Sequence, residues 1–168
     1  MKMIALGTIA NMASAVSVIV AISLGFLQIR QMRKSRALFT AGELVHTIQT
    51  PGFSHSVRLI MQLPDRADPA IIRDNPEMLS AVLSLSHVYE SLGVLVYHRI
   101  LPLHLVDDLM GGYIRGSWTK LEPFVVARRA EQGVFYGEWM QWLAERMIEF
   151  PSPGKKIGAH IAHRKWKP

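Results

Sequence analysis

Cysteine is absent from all 168 residues. That one absence excludes disulfide frameworks, thiolate zinc sites, iron–sulfur clusters and cysteine nucleophiles together, and it fits a reducing compartment. Strand-like alternation of apolar and polar residues is missing over any useful length, and so are internal repeats and interdomain linkers. The short motifs of common chemistries are missing too. There is no phosphate loop with Gly-Lys-Ser, no dinucleotide-binding glycine pattern, no His-Glu-x-x-His and no serine in a nucleophile elbow. The sequence is therefore read as that of a non-enzymatic protein with no catalytic residue, cofactor or metal.

Acidic residues are missing from both ends of the chain. The net charge of +6 hides this unevenness. After Phe150 the chain has Lys155, Lys156, Arg164, Lys165 and Lys167 and no acid. Near the other end, Lys2 is followed by Arg30, Arg33, Lys34 and Arg36 before the first acid, Glu43. The remaining nine Arg and Lys face thirteen Asp and Glu, so residues 37–150 carry −4. A nucleic-acid-binding domain usually holds its positive charge on the folded surface, which counts against nucleic acid as the main partner.

Charge is also missing from Met3 to Ile29, where Asn11 and Gln28 are the amides. As a helix rising 1.5 Å per residue, this stretch is about 40 Å long, enough to cross a hydrocarbon core of about 30 Å with some tilt. Ala13-Ser14-Ala15 resembles a signal-peptide cleavage site. The apolar run, however, continues fourteen residues past it, and a single lysine precedes it. The expectation is an uncleaved, single-pass anchor over residues 1–29. The more basic flank lies on the C-terminal side of the span, so the positive-inside rule puts the N-terminus outside and the domain in the cytoplasm. Ala13, Ser17, Ala21 and Gly25 repeat every four residues along the span. Such a stripe lets a second helix, from another copy or another protein, approach closely; chance is the alternative, since small residues are common here.

Beyond the span the pattern is helical. A basic juxtamembrane helix over residues 30–50 is expected to continue from the span until Pro51-Gly52, and a helical bundle over residues 51–150 to come after it. Phe53 to Leu63 reads as a short helix and Asp65 to Asp74 as turns. Asn75-Pro76-Glu77 combines a capping residue, proline at the first helical position and an acid in the first turn. The helix it starts, reaching about Ile100, carries Met78, Val82, Leu85, Tyr89, Leu92 and Val96 at steps of four and three, which marks it as the central helix of a bundle. Leu103 to Met110 is expected to stop at Gly111-Gly112, and Asp107-Asp108 to face solvent. Another helix covers Tyr113 to Ala130, with Ile114, Trp118, Leu121 and Val125 on one side. The last covers Phe135 to Glu149, with Phe135, Trp139, Trp142 and Met147 as an aromatic-rich stripe. Residues 151–168 read as a basic flexible tail. The fold class is all-α: one transmembrane helix, then a small cytoplasmic bundle of about five helices.

The run Ser86-His87-Val88-Tyr89-Glu90-Ser91-Leu92-Gly93-Val94-Leu95-Val96 is succeeded by a leucine-rich segment, Trp118, Pro123, Arg128-Arg129 and Trp142-Leu143. With the preceding span and its basic edge, this order resembles a bacterial membrane-anchored family called domain of unknown function four-seven-sixty, over roughly residues 10 to 150. The resemblance implies no activity, cofactor or catalytic residue and bears on architecture alone.

Three further features can be weighed for function. His87, Glu90 and His98 share a face of the central helix, and imidazole with carboxylate suits iron, zinc or manganese. The paired Glu-x-x-His motifs of a di-iron bundle are absent, so a local polar pair is the expected reading. The aromatic residues Tyr113, Trp118, Phe124, Phe135, Tyr136, Trp139 and Trp142 are expected in the core. In the tail, Lys155, Lys156, Arg164, Lys165, Trp166 and Lys167, like Arg30, Arg33, Lys34 and Arg36, are candidates to contact anionic lipid head groups. Nucleic acid, an acidic protein or plain solubilisation remain open for the same tail. The leading expectation is a membrane-tethered interaction or accessory protein. The alternative is a membrane-localised nucleic-acid-binding or sensing protein that uses the tail, and a third reading is a metal-dependent enzyme built on His87, Glu90 and His98.

Overall fold

Thr50 and Asn75 begin their helices by the same device: an extended backbone, a proline next, and a side-chain oxygen that accepts an N–H three residues on. Thr50 Oγ1 accepts from Phe53 N (3.2 Å) and Asn75 Oδ1 from Met78 N (3.0 Å). A computed structural model describes the chain over residues 2–151 and 158–167, with the side chains of 2–16, 19, 33, 34, 36–38 and 41 left out. Seven α-helices succeed one another among the described residues, with no strand: α1 (Lys2–Ile48), α2 (Pro51–Met61), α3 (Pro69–Arg73), α4 (Pro76–Tyr97), α5 (Leu103–Gln132), α6 (Glu138–Glu149) and α7 (Ala159–Ala162). The fold is all-α, as the sequence predicts.

The chain divides into two units, Met1–Phe39 and Thr40–Pro168. In the first, α1 exposes Val18, Val20, Ile22, Leu24, Phe26, Leu27 and Ile29. The second is a bundle around α4, which packs against α2, α3, α5 and α6. All six residues of the expected seam on α4 are buried, Val82 and Tyr89 completely. Among the described residues α4 is also the helix long and apolar enough to cross a membrane, a composition that here serves burial on several sides. Gly93 lets α6 come close: a Cβ at this position would lie 2.6 Å from the carbonyl oxygen of Trp139.

Several boundaries differ from those expected from the sequence. Pro51 opens α2 rather than only ending α1, because it occupies the first helical position behind the Thr50 cap. Asp68 caps the short α3 inside the expected turn region, accepting from Ala70 N (2.9 Å). The loop before α3 is held to α5 by Arg66 N donating to Thr119 O (2.9 Å), Ala67 N to Lys120 O (3.0 Å) and Lys120 Nζ to Leu63 O (2.5 Å). Gly111-Gly112 was expected to end a helix, yet α5 runs through both. Val106, Met110, Ile114 and Trp118 form one unbroken buried seam across them, and this burial outweighs a glycine penalty of about 1 kcal/mol each.

Asp107, expected at a solvated face, is fully buried, and Arg115 two turns on donates to its Oδ1 (2.6 Å). Gly111 is what makes room for that carboxylate, since a Cβ there would meet Asp107 Oδ1 at 1.8 Å; one at Gly112 would meet nothing within 4 Å. The last helix of the bundle begins at Glu138 rather than Phe135, and its buried face is Met140, Leu143, Ala144 and Met147. Phe135 is exposed in the loop before it, and Trp139 and Trp142 flank the core instead of filling it.

The two neighbouring glycines should therefore respond with opposite signs. Gly112→Ala is expected to stabilise the bundle by about 0.5–1 kcal/mol, the usual helix-interior gain. Gly111→Ala is expected to destabilise it by about 1–3 kcal/mol through the clash with Asp107. Denaturant midpoints of the full chain in mild detergent check both.

Candidate functional site

Ser80, Ser84, His87 and Ser91 recur along α4 at steps of four, three and four, which sets them on one side of the helix. That side is not covered by α5 or α6. It faces the last turns of α1 and the first turns of α2, and two adjoining cavities lie along it. The larger, about 500 Å³, combines the hydroxyls of Thr47, Thr50, Ser56, Ser80 and Ser84 with the apolar side chains of Phe53, Ala81, Leu85 and Val88, and His55 and Glu77 also line it. The smaller, about 330 Å³, is mainly apolar, with Leu44, Leu92, Leu95 and Leu101 beside His87 and Glu43. Thr47 and Val88 line both.

The hydroxyls differ in what they have left to offer. Thr50 is committed, capping α2 and donating to Thr47 O (2.8 Å). Thr47 donates to Glu43 O (3.0 Å) and Ser91 to His87 O (2.9 Å). Ser56 is 7% exposed and, like Ser80 and Ser84, makes no hydrogen bond with any described residue. His55 has both ring nitrogens engaged. His55 Nε2 donates to Glu77 Oε1 (3.0 Å) while its Nδ1 accepts from Arg58 Nη2 (3.1 Å). With both ring nitrogens occupied, His55 has none to offer a serine hydroxyl, so the Ser, His and Glu here do not form a nucleophile–base–acid relay.

His87, Glu90 and His98 do not assemble. His87 is exposed, with Nδ1 donating to Leu83 O (3.0 Å), and His98 is the exposed C-cap of α4, edge-on to Tyr97. Glu90 turns the other way, and its Oε1 accepts from Met140 N (2.8 Å). It thereby caps α6 from a neighbouring helix. The α6 N-cap is Gly137, at φ +67 with no side chain to accept a bond, and a Cβ there would lie 2.7 Å from Val125 Cγ1. A carboxylate at the third N–H also complements the positive end of the helix. Among the described residues no group of three or more His, Asp or Glu is placed to hold a metal ion.

Tyr89, inside the bundle, pairs with Ser117 (3.4 Å), and burial pushes its phenol well above the usual tyrosine range. Tyr97, Trp139 and Trp142 form an aromatic cluster at the α4–α6 surface, with ring centroids 5.0–5.9 Å apart.

Of the residues singled out for the membrane, Ser17, Ala21 and Arg30 are exposed and Gly25 is half-buried. Ala13, Arg33, Lys34 and Arg36 lie outside the described side chains, and Lys155 and Lys156 outside the described residues. Arg164, Lys165, Trp166 and Lys167 are exposed just after α7. The groove on α4 was not anticipated. Its signal, serine and histidine at steps of four and three, was present in the sequence behind the stronger apolar seam.

The sequence matches the family model described as Domain of unknown function (DUF4760) over residues 9–147. The chain belongs to this family. Comparisons with curated proteins and with solved structures gave no match. The family assignment agrees with the resemblance carried by the Ser86–Val96 run, and that run contains both the Glu90 cap and the Gly93 contact, the two features that seat α6.

Removing the Glu90 carboxylate by Glu90→Ala is expected to cost about 1 kcal/mol, the usual value of a lost helix cap. His87→Ala, on the exposed side of the same helix, should stay within about 0.5 kcal/mol. Equilibrium denaturation of the two variants compares them directly; equal losses would mean that Glu90 does not act as the α6 cap.

Proposed function

We propose that this DUF4760 chain is a membrane-tethered, non-enzymatic accessory or interaction protein. Its N-terminal helix spans the inner membrane with the N-terminus outside, and the bundle and basic tail lie at the cytoplasmic face. The observation that carries this reading is the exposure, by half or more, of Val18, Val20, Ile22, Leu24, Phe26, Leu27 and Ile29. At 100° per residue these side chains point in most directions around the helix. A surface of that extent is unfavourable in water and suits lipid, where a helix satisfies its own backbone. The basic residues after Ile29 and in the tail, including exposed Arg30, Arg164, Lys165 and Lys167, suit anionic head groups.

A protein contact within the span is supported by its small residues. Ala21 is exposed, and a Cβ at Gly25 would meet nothing within 4 Å, so a second helix has room to approach. The test is affinity purification of the full chain from native membranes in several mild detergents, with the mass of the complex and its components determined. A stoichiometric partner or a homo-oligomer is expected, and the double variant A21L/G25L should shift it toward monomer. Recovery of a lone monomer in every detergent would overturn the reading.

A further inference from the structure

The groove along α4 changes character along its length. One cavity, about 330 Å³, is an open, mainly apolar depression that includes Leu44, Leu92, Leu95 and Leu101. The other, about 500 Å³, offers the hydroxyls of Ser56, Ser80 and Ser84. We propose that it binds a neutral single-chain amphiphile of the monoacylglycerol kind, with the acyl chain in the leucine-lined slot and the polyol head among the three serines. The groove lies within Thr40–Pro168 and does not depend on how the N-terminal helix is read.

Size, polarity and charge each narrow the ligand. Both cavities fall within or near the ordinary range for small-molecule sites, about 300–1,000 Å³. Thr47 and Val88 border both, so a molecule long enough to pass them occupies the two together. Ser56 is more than nine-tenths buried, and neither it, Ser80 nor Ser84 bonds to a described residue. Hydroxyls both donate and accept, and a polyol does the same, so the match needs no net charge. An anionic head is disfavoured, because no Lys or Arg among the described residues lines either cavity while Glu77 and Glu43 do. Glu77 spends Oε1 on His55, which leaves its second oxygen as an acceptor for a ligand hydroxyl.

The test uses the full chain in phosphatidylcholine nanodiscs with a monoacylglycerol that carries a photoreactive diazirine in its acyl chain. Irradiation and peptide mapping are expected to place saturable label on Leu92, Leu95 and Leu101. Unlabelled monooleoylglycerol should compete, and oleate and lysophosphatidylcholine should not. Leu95→Trp, which fills the slot, should reduce this label at least tenfold. The double variant S80A/S84A, two exposed positions that leave the core intact, should raise the competing concentration of monooleoylglycerol about tenfold. Label confined to residues 3–29, or removed equally well by oleate or lysophosphatidylcholine, would overturn the proposal. So would unchanged competition in S80A/S84A.

Discussion

The contact between α4 and α6 is the constraint on which the rest of the bundle depends. Gly93 has no side chain, and this lets the backbone of Trp139 sit where a Cβ would otherwise be. Three residues earlier, Glu90 supplies the cap that α6 lacks, because Gly137 leaves its N-terminus without a side-chain acceptor. The same Gly137 must stay small, since Val125 of α5 presses against it. One short stretch of α4 thus sets the distance, the start and the direction of α6. In turn α6 buries Met140, Leu143, Ala144 and Met147 into the core. A core that is close-packed tolerates little displacement of these elements, so an error in this contact would spread to α5.

Apolar periodicity was legible in the sequence wherever one signal dominated. The seam from Met78 to Val96, the start at Asn75-Pro76 and the buried face of Ile114, Trp118, Leu121 and Val125 all stand in the structure as expected. Local rules failed where tertiary packing opposed them. Gly111-Gly112 carries the ordinary mark of a helix end, but the seam through Val106, Met110 and Ile114 continues across it, and the first glycine accommodates the buried Asp107. Asp107 itself could not be placed, because its partner Arg115 lies two turns along a helix that the two glycines mark as broken. Phe135 shows the reverse error, an aromatic assigned to the core that the loop before α6 leaves in solvent.

The groove was hidden for a different reason. Ser80, Ser84, His87 and Ser91 obey the same spacing as the apolar seam, but a polar stripe on an amphipathic helix is ordinarily the solvated face. Nothing in the spacing distinguishes a face turned to bulk water from one turned to a cavity. That distinction needs the last turn of α1 and the first of α2, which are brought opposite α4 by tertiary structure. The Glu90 cap was unreadable on the same ground: a carboxylate that closes a helix fifty residues away leaves no local trace, whereas Thr50 and Asn75, which cap their own helices, sit directly before the prolines that mark them.

The composition of α4 can now be explained from its two sides. It is apolar enough to qualify as a span among the described residues, yet its apolar surface is turned to α2, α3, α5 and α6. Among the described residues, an exposed apolar stretch lies elsewhere, between Val18 and Met32. The two stretches differ in what punctuates them. Pro64 and Pro69 stand before α4 and Pro76 opens it, with caps at Asp68 and Asn75, and the short helices α2 and α3 pack back onto it. No proline occurs between Lys2 and Ile48, which form one continuous helix. An exposed apolar surface of that kind suits lipid or a second helix, which is the ground on which tethering and partner contact are proposed together.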